Sequence, residues 1–306
     1  MGKRTYRAES INNLDLAKLL ELVRGRRVTF AVDVAKRNFT AVLMEWPEKV
    51  LYALCWKAPD ETMKMVEVVS QLMEVCTLDV ALEPTGTYGD AIRGLMNGLG
   101  LVVYRVSPKR ASDAAEIYDG VPSQHDAKCA AIIGWLHAQG RSERWNEVSP
   151  ELRDLAAATE QMQLFSNQFH ACVNRVEAKL ARHFPELGEV LELGSATLLM
   201  LLGKFGSPAA IASSESDARA HMERVGKALL SSEKVERILE LARTTTGASM
   251  TEGEREGLMA LAVETDRQRR ELAAARKKVE EQAVEHASVR RVSEAVGKVT
   301  AAVLYV

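Results

Sequence analysis

The alternation of apolar and polar positions changes its period several times along the chain. Apolar residues recur at helical spacing in LDLAKLLELV (14–23), so residues 1–26 are predicted to form a helical N-terminal extension. Three runs rich in β-branched and aromatic residues then predict consecutive strands at 28–34, 39–46 and 49–58. Because only a few residues connect these runs, we expect the strands to pair as an antiparallel meander.

The segment that follows alternates between the two periods. Strand-like runs at 78–84 and 101–108 are separated by stretches of helical spacing, which occupy 60–76, 88–99, 109–118 and 126–138. The resulting order is βββαβαβαα, an antiparallel meander that leads into parallel strands. This order is typical of an α/β ribonuclease-H-like (RuvC-like) domain, which we predict for residues 27–145. A plain doubly wound fold should not open with three consecutive hairpin-linked strands.

The second half of the chain has helical spacing almost throughout. Residues 151–184 and 254–287 predict two long helices, and the second has apolar or β-branched residues every seven positions. The intervening core positions are often polar, so we expect antiparallel or coiled-coil-like packing of one long helix on the other. Residues 146–287 are thus predicted to be a helical connector and dimerisation region. Residues 288–306 are expected to begin a truncated C-terminal domain.

Composition narrows the class of protein. The 306 residues suffice for about two domains, and 40 basic against 42 acidic side chains leave a net charge of −2. Nucleic-acid binding would therefore need local basic patches. No apolar run approaches the roughly 18 residues of a membrane span, and the N-terminus lacks the apolar core of a signal peptide. The four cysteines are scattered, which favours a reduced, cytoplasmic protein over a disulfide scaffold or zinc finger.

Acidic residues occupy the positions at which a ribonuclease-H-like fold holds metal. Asp33 lies inside the apolar run VTFAVDV, where burial without a partner is costly, and Glu83 ends the strand LDVALEP. Asp126 begins the helix DAKCAAIIGWL, and Asp119 precedes a glycine turn as a weaker candidate. The alternatives are a solvent-facing strand end for Asp33, a helix cap for Asp126 and a turn residue for Asp119. Carboxylates suit Mg²⁺ or Mn²⁺, and two such ions would activate the attacking oxygen and stabilise the leaving one.

These segments carry a resemblance to a known family. AVDVAKRNFTAVL, ALEPTGTYG, VYRVSPKR and HDAKCAAIIGWLHAQG resemble the N-terminal domain of the Asp-Glu-Asp-Asp insertion-sequence transposases, which include bridge-RNA-guided recombinases and pilin-gene invertases. The most specific string holds Glu83, Thr85, Gly86 and Tyr88. The resemblance covers residues 27–140 well. It implies a bacterial, Mg²⁺-dependent RuvC-like nuclease domain that acts on DNA, with a structured guide RNA.

The resemblance further implies a C-terminal domain with a nucleophilic serine. That domain would form a composite site across protomers and cleave through a 5′-phosphoserine link. The final segment VSEAVGKVTAAVLYV resembles the opening of that domain, a helix–glycine–helix element that would approach the DNA backbone. No serine of this sequence can be assigned the nucleophilic role.

The sequence departs from the family pattern D-x-x-D-A. If Asp126 matches the second acid, Ser123 stands at the first; if Asp126 matches the first, Cys129 stands at the second. One carboxylate is missing in either alignment unless Asp119 replaces it. Cys129 would be a soft ligand that suits Mg²⁺ poorly.

Three basic pairs are expected to contact nucleic acid phosphates. They are Lys36 and Arg37, Lys109 and Arg110, and Arg290 and Arg291. The sequence therefore predicts a DNA transposase or recombinase whose catalytic residues are the acids Asp33, Glu83 and Asp126. The long helices predict a homo-oligomer, either a dimer or a tetramer. A non-catalytic nucleic-acid-binding derivative and a nuclease that uses the RuvC-like domain alone are the alternatives.

Overall fold

The chain divides into two compact units, Met1–Glu147 and Val148–Val306. The computed structural model describes residues 7–84, 86–121, 125–227 and 230–306. Each unit has its own hydrophobic core, one built on a β-sheet and the other on helices alone.

A mixed sheet forms the first unit. Its seven strands in the described residues have the order β1-β4-β3-β2-β5-β6-β7. The strands are β1 (Glu9–Ser10), β2 (Arg27–Asp33), β3 (Asn38–Glu45), β4 (Lys49–Lys57), β5 (Thr77–Leu82), β6 (Val103–Arg105) and β7 (Glu143–Arg144). Strands β2, β3 and β4 form the predicted antiparallel meander, whereas β5 is parallel to β2 and β6 is parallel to β5. The edge strands β1 and β7 were not predicted, because two residues are too few to establish a period.

Helices cover both faces of this sheet. On one face, apolar side chains of α1 (Leu16–Val23), α2 (Thr62–Val75) and α3 (Asp90–Gly98) join the core that contains Phe30 and Val32 of β2. On the other face, α4 (Pro108–Asp119) and α5 (Asp126–Ala138) pack with Ala31 of β2. The alternation of side chains along β2 thus supplies both cores. Helix α1 buries side chains in the core that contains Phe30 and Val32, so the N-terminal segment is part of this unit.

Small residues let α5 lie close to the sheet. A Cβ atom added at Gly134 would approach the Cβ of Ala31 to 3.1 Å and the Sδ of Met44 to 3.2 Å. The neighbouring Ala130 and Ala131 are fully buried against the same face. This close packing determines the position of the N-terminus of α5, where Asp126 lies.

The second unit is helical throughout its described residues. It contains α6 (Pro150–His183), α7 (Leu187–Val190), α8 (Ala196–Phe205), α9 (Pro208–Ser213), α10 (Glu215–Gly226), α11 (Ser232–Thr244), α12 (Glu252–Glu285), α13 (Ala287–Val296) and α14 (Lys298–Tyr305). The helices α6 and α12 have 34 residues each, which makes each about 50 Å long.

The two long helices are antiparallel. One cluster joins the end of α6 to the start of α12 and contains Leu180 and Leu258, and another joins their opposite ends and contains Leu155 and Val279. A capping box begins α12: the Thr251 amide donates to Glu254 Oε2 at 2.9 Å, and the Glu254 amide donates to Thr251 Oγ1 at 3.3 Å. The predicted long helices are therefore confirmed. Among the described residues, no helix combines the length and apolar character needed to cross a bilayer.

Candidate active site

Asp33 and Glu83 lie side by side at the carboxyl ends of two neighbouring central strands, β2 and β5. Strands β2 and β5 are parallel, and Val32 pairs with Leu82. The next residues along the chain, Asp33 and Glu83, are therefore neighbours in the same register. The Glu83 amide donates a hydrogen bond of 3.5 Å to the Val32 carbonyl oxygen. Because neighbours in register point to the same face, both carboxylates lie on the side of the sheet that α5 covers.

The third acid enters from the helix. Asp126 is the first residue of α5, and the residue that caps this helix is His125, whose Nδ1 accepts a hydrogen bond of 3.3 Å from the Lys128 amide. A capping role therefore does not account for Asp126. Its charge instead acts on the carboxyl group of Asp33.

The electrostatics of the site reflect this convergence. Burial raises the pKa of Asp33 to about 6, and the carboxylates of Glu83 and Asp126 act in the same direction. Burial also raises the pKa of Glu83. Within the described surroundings of Asp33, no base opposes these effects. A half-buried group of acids that repel one another is the condition that a bound cation relieves.

Cys129 belongs to the same group. It lies three residues after Asp126 on α5, and burial raises its pKa to about 11, with further contributions from the carboxylates of Asp33, Glu83 and Asp126. The thiol is therefore neutral at physiological pH. Of the two alignments to the family pattern, the one that pairs Asp126 with Cys129 brings both positions to the acids. Ser123, which the other alignment requires, lies outside the described residues.

Asp119 has a different partner. Its Oδ1 lies 2.7 Å from Nζ of Lys128 and also accepts a hydrogen bond of 3.1 Å from the Val121 amide. The Lys128 side chain is only 2% exposed, so this ion pair is almost internal. Asp119 thus compensates a buried lysine, and it is not among the acids that act on Asp33.

The donor chemistry of the site suits a hard divalent cation, because its charged groups are carboxylates. The arrangement is open: within the part of the chain that the structure describes, no three His, Cys, Asp or Glu side chains lie close enough together to hold a metal ion. The acids are near enough to perturb one another but do not form a closed coordination shell. Metal binding would therefore require side-chain movement.

Basic residues flank the acids on both sides. Lys36 and Arg37 are exposed in the turn between β2 and β3, just after Asp33. Lys109 and Arg110 occupy the first turn of α4, which begins beside the end of β6. There a cavity of about 310 Å³ is lined by Arg105, Arg110 and the acid Glu143, together with two prolines, Val106 and Ser107. Arg110 donates a hydrogen bond of 3.2 Å to the Arg141 carbonyl. The third basic pair, Arg290 and Arg291, is exposed on α13 in the second unit.

Some polar residues near the acids were not predicted. Thr40 of β3 pairs directly with Asp33, and Cys55 of β4 pairs with Thr40. Thr40 is a polar residue within the apolar run FTAVLMEW, and this could have marked it as a candidate site residue. Its pairing with Asp33, however, depends on the register of the meander. That register cannot be read from local periodicity.

A model of a known protein family matches the chain. The family model for the IS110-type DEDD transposases, described as a transposase, matches residues 30–185. The matched segment is a little more than half of the chain and includes Asp33, Glu83 and Asp126. No curated protein matches the chain.

Proposed function

This chain belongs to the IS110-type DEDD transposase family, and from that membership we propose that it is a DNA transposase or recombinase whose first unit cleaves DNA with the help of a divalent metal ion. The observation that carries the proposal is the convergence of Asp33, Glu83 and Asp126 at one edge of the sheet. The proposal includes Mg²⁺ or Mn²⁺ as the cofactor and DNA as the substrate.

The topology of the first unit supports a ribonuclease-H-like, RuvC-like domain. Its antiparallel meander, followed by β5 and β6 parallel to β2, has the strand order expected of that fold. The acids lie at the end of the first meander strand, directly after the next parallel strand and at the start of a helix packed on the sheet. The last two places are the expected ones, whereas the first acid was expected in the middle of its strand. Fold analogy alone does not establish chemistry, so the proposal depends on these side chains.

The chain's own residues would divide the work as follows. Asp33, Glu83 and Asp126 would hold the metal, which supplies a polarised water or hydroxyl and charge stabilisation at phosphate. Lys36 and Arg37 on one side, with Lys109 and Arg110 on the other, would hold the DNA backbone in position. The N-terminus of α4 would add a favourable dipole beside these charges. The nucleophilic serine of the family would have to come from a C-terminal domain.

Three parts of the proposal rest on family membership alone. They are guidance by a structured RNA, assembly into a dimer or tetramer, and transfer of strands through a serine link. In such an assembly, Arg290 and Arg291 on α13 would contact nucleic acid.

A second candidate function is a non-catalytic nucleic-acid-binding derivative of the family. Two observations favour it: a neutral thiol stands beside the acids at Cys129, and no three potential ligands among the described residues are already gathered around a metal position. This derivative would keep the basic residues and bind DNA without cleaving it.

Metal binding decides between these candidates. We expect calorimetric titration of the protein with Mn²⁺ to show binding that Asp33→Asn and Glu83→Gln each abolish. The control Glu48→Gln removes the same charge from the exposed turn at the opposite edge of the sheet and should leave binding intact. With a DNA substrate, the same two site variants should lose metal-dependent cleavage while they retain the circular dichroism spectrum of the native fold.

Unchanged Mn²⁺ binding in both site variants would refute the assignment of these ligands. Absence of Mn²⁺ binding by the native protein, even with DNA present, would favour the non-catalytic derivative.

A further inference from the structure

A groove opens beside the acids, over strands β3, β4 and β1. These strands lie on one side of β2, which bears Asp33, whereas the strand that precedes Glu83 lies on the other side. It encloses about 630 Å³, within the roughly 300–1,000 Å³ typical of small-ligand sites. We call it the β4 groove. Its lining residues are predominantly small or polar and come mainly from β1, β3, β4 and the start of α5, together with Asn12 after β1 and the acid Glu61 before α2. Those from the sheet and α5 include Ser10, Thr40, Cys55, Lys57, His125 and Asp126.

The floor of the β4 groove is a polar row that crosses four strands in register. Asp33 of β2 pairs with Thr40 of β3, Thr40 pairs with Cys55 of β4, and Cys55 pairs with Ser10 of β1. Residues paired across strands point to the same face of a sheet. The row therefore leads from the acid Asp33 directly along the floor of the groove.

The end of the groove reaches the acidic group itself. Asp126 and its neighbour His125 line the groove at the N-terminus of α5. The carboxylate of Asp126 also contributes to a raised pKa of the Cys55 thiol, after burial and Glu61. A ligand in the groove would thus adjoin whatever the acids bind.

One basic residue of the groove has a counterpart at the other end of its strand. Lys57 is the last residue of β4, pairs with Asn38 and lines the groove, whereas Lys49 is the first residue of β4 and lies at the opposite edge of the sheet. The turn that bears Lys36 and Arg37 is held to this side by a hydrogen bond of 2.7 Å from the Ala58 amide to the Arg37 carbonyl. Positive charge thus borders the groove near the acids.

From this geometry we infer that the β4 groove binds one nucleotide of single-stranded DNA, next to the phosphate presented to the acids. The inference rests on the proposed function and adds a substrate subsite to it. A depression of this size, with small hydrogen-bonding side chains on its floor, accepts an unstacked nucleotide. A paired base inside a duplex cannot enter it. Lys57 would contact the phosphate on the far side of that nucleotide.

Cys55 makes the groove testable with the native protein. A thymidylate oligonucleotide of about twelve residues, bound in EDTA, should slow the modification of Cys55 by N-ethylmaleimide about fivefold or more. Work at about pH 8.5 keeps the reaction measurable despite the raised pKa of this thiol. Peptide mass spectrometry follows each cysteine separately, so Cys76, which is half-buried outside the groove, is an internal control that should change less than about twofold.

The matched variants Lys57→Ala and Lys49→Ala give a second readout. Each removes one charge from an end of β4, so long-range attraction to DNA falls alike in both. We expect Lys57→Ala to weaken binding of the oligonucleotide about fivefold more than Lys49→Ala, as measured by fluorescence anisotropy.

The possible failures are distinguishable. If the oligonucleotide binds but leaves both the Cys55 reaction and the Lys57→Ala comparison unchanged, the groove proposal is wrong and DNA binding stands. If a uridylate oligonucleotide protects Cys55 and the thymidylate does not, the groove is an RNA site and the inference is overturned. If neither DNA nor RNA binds, the proposed function fails as well.

Discussion

Lys128 is buried in α5 and forms an ion pair with Asp119 at the end of α4, with 2.7 Å between Nζ and Oδ1. The two side chains are 2% and 16% exposed, so water screens this pair poorly. The pair joins the helix that bears Asp126 to the helix before it. Asp119, a candidate ligand by sequence, is therefore better explained as the partner of a buried charge.

Asp119→Asn should destabilise the protein rather than its metal site. It removes the carboxylate from this buried ion pair, and loss of one member of such a pair typically costs about 3 kcal/mol of unfolding free energy. Urea denaturation of the variant measures this loss. The double variant Asp119→Leu with Lys128→Met should recover most of it, because neither member then remains as an uncompensated charge. A loss of Mn²⁺ affinity without loss of stability would instead identify Asp119 as a ligand.

Gly134→Ala should impair the site through the position of α5. Its added methyl group would meet the Cβ of Ala31 at 3.1 Å and the Sδ of Met44 at 3.2 Å, so the contact must open by a few tenths of an ångström. Because the Cβ of Ala31 is fixed to the central strand β2, we expect α5 to take up part of this shift. We expect a loss of about 1–2 kcal/mol of unfolding free energy and weaker Mn²⁺ binding, because Asp126 moves with the helix.

Gly94→Ala is the control for this change. Gly94 lies in α3, and a Cβ there meets nothing within 4 Å. This variant should be stabilised by about 0.5–1 kcal/mol through helix propensity. Equal effects of the two substitutions on stability and Mn²⁺ affinity would contradict the close-packing argument.

Cys129→Asp should strengthen metal binding. The thiol contributes no charge at neutral pH because its pKa is raised to about 11, whereas an aspartate would add a fourth hard oxygen ligand. We expect Mn²⁺ affinity to rise about tenfold, and the metal-free protein to lose stability from the added repulsion. Cys129→Ser, which adds no charge, should change affinity by less than about threefold. Calorimetry and thermal unfolding with and without Mn²⁺ separate these effects, and equal affinities in both variants would place Cys129 outside the coordination sphere.

Protonation of His137 should destabilise the fold below neutral pH. Burial lowers the pKa of this histidine, although Asp79 opposes the effect, and Arg27 acts in the same direction as burial. Nδ1 lies 2.7 Å from Ser142 Oγ, and the ring packs against Tyr104. Because the unfolded chain binds a proton near pH 6.5 that the folded state resists, stability should fall as pH drops through about 6.5.

Asp33 contributes with the opposite sign in the same range. Its pKa is about 6 when folded against 3.8 in model compounds, so the folded state binds a proton first and gains stability as pH falls from about 6 towards 3.8. The measurement is therefore made in Asp33→Asn, which removes this contribution. In the Asp33→Asn variant, the urea midpoint should decline between about pH 6.5 and 5. The double variant that also carries His137→Phe should show a smaller decline over the same range. An unaltered decline would show that another group causes it.

Local pattern was sufficient for much of this molecule. Periods of two and of 3.6 residues predicted the meander, the following strands and helices and the two long helices, because burial of one face imposes these periods on the sequence. Acids at the ends of apolar runs likewise made Asp33 and Glu83 candidate site residues, since a charge beside a buried strand requires a reason.

The tertiary structure decided which of these residues share a site. The assignment of Asp119 to Lys128, the position of Cys129 among the acids and the row from Asp33 to Ser10 depend on strand register and on how closely α5 approaches the sheet. These are distances between segments far apart in the chain, and a local period does not encode them. The sequence by itself thus determined the elements and the residues able to do chemistry, whereas long-range packing determined which of them act together.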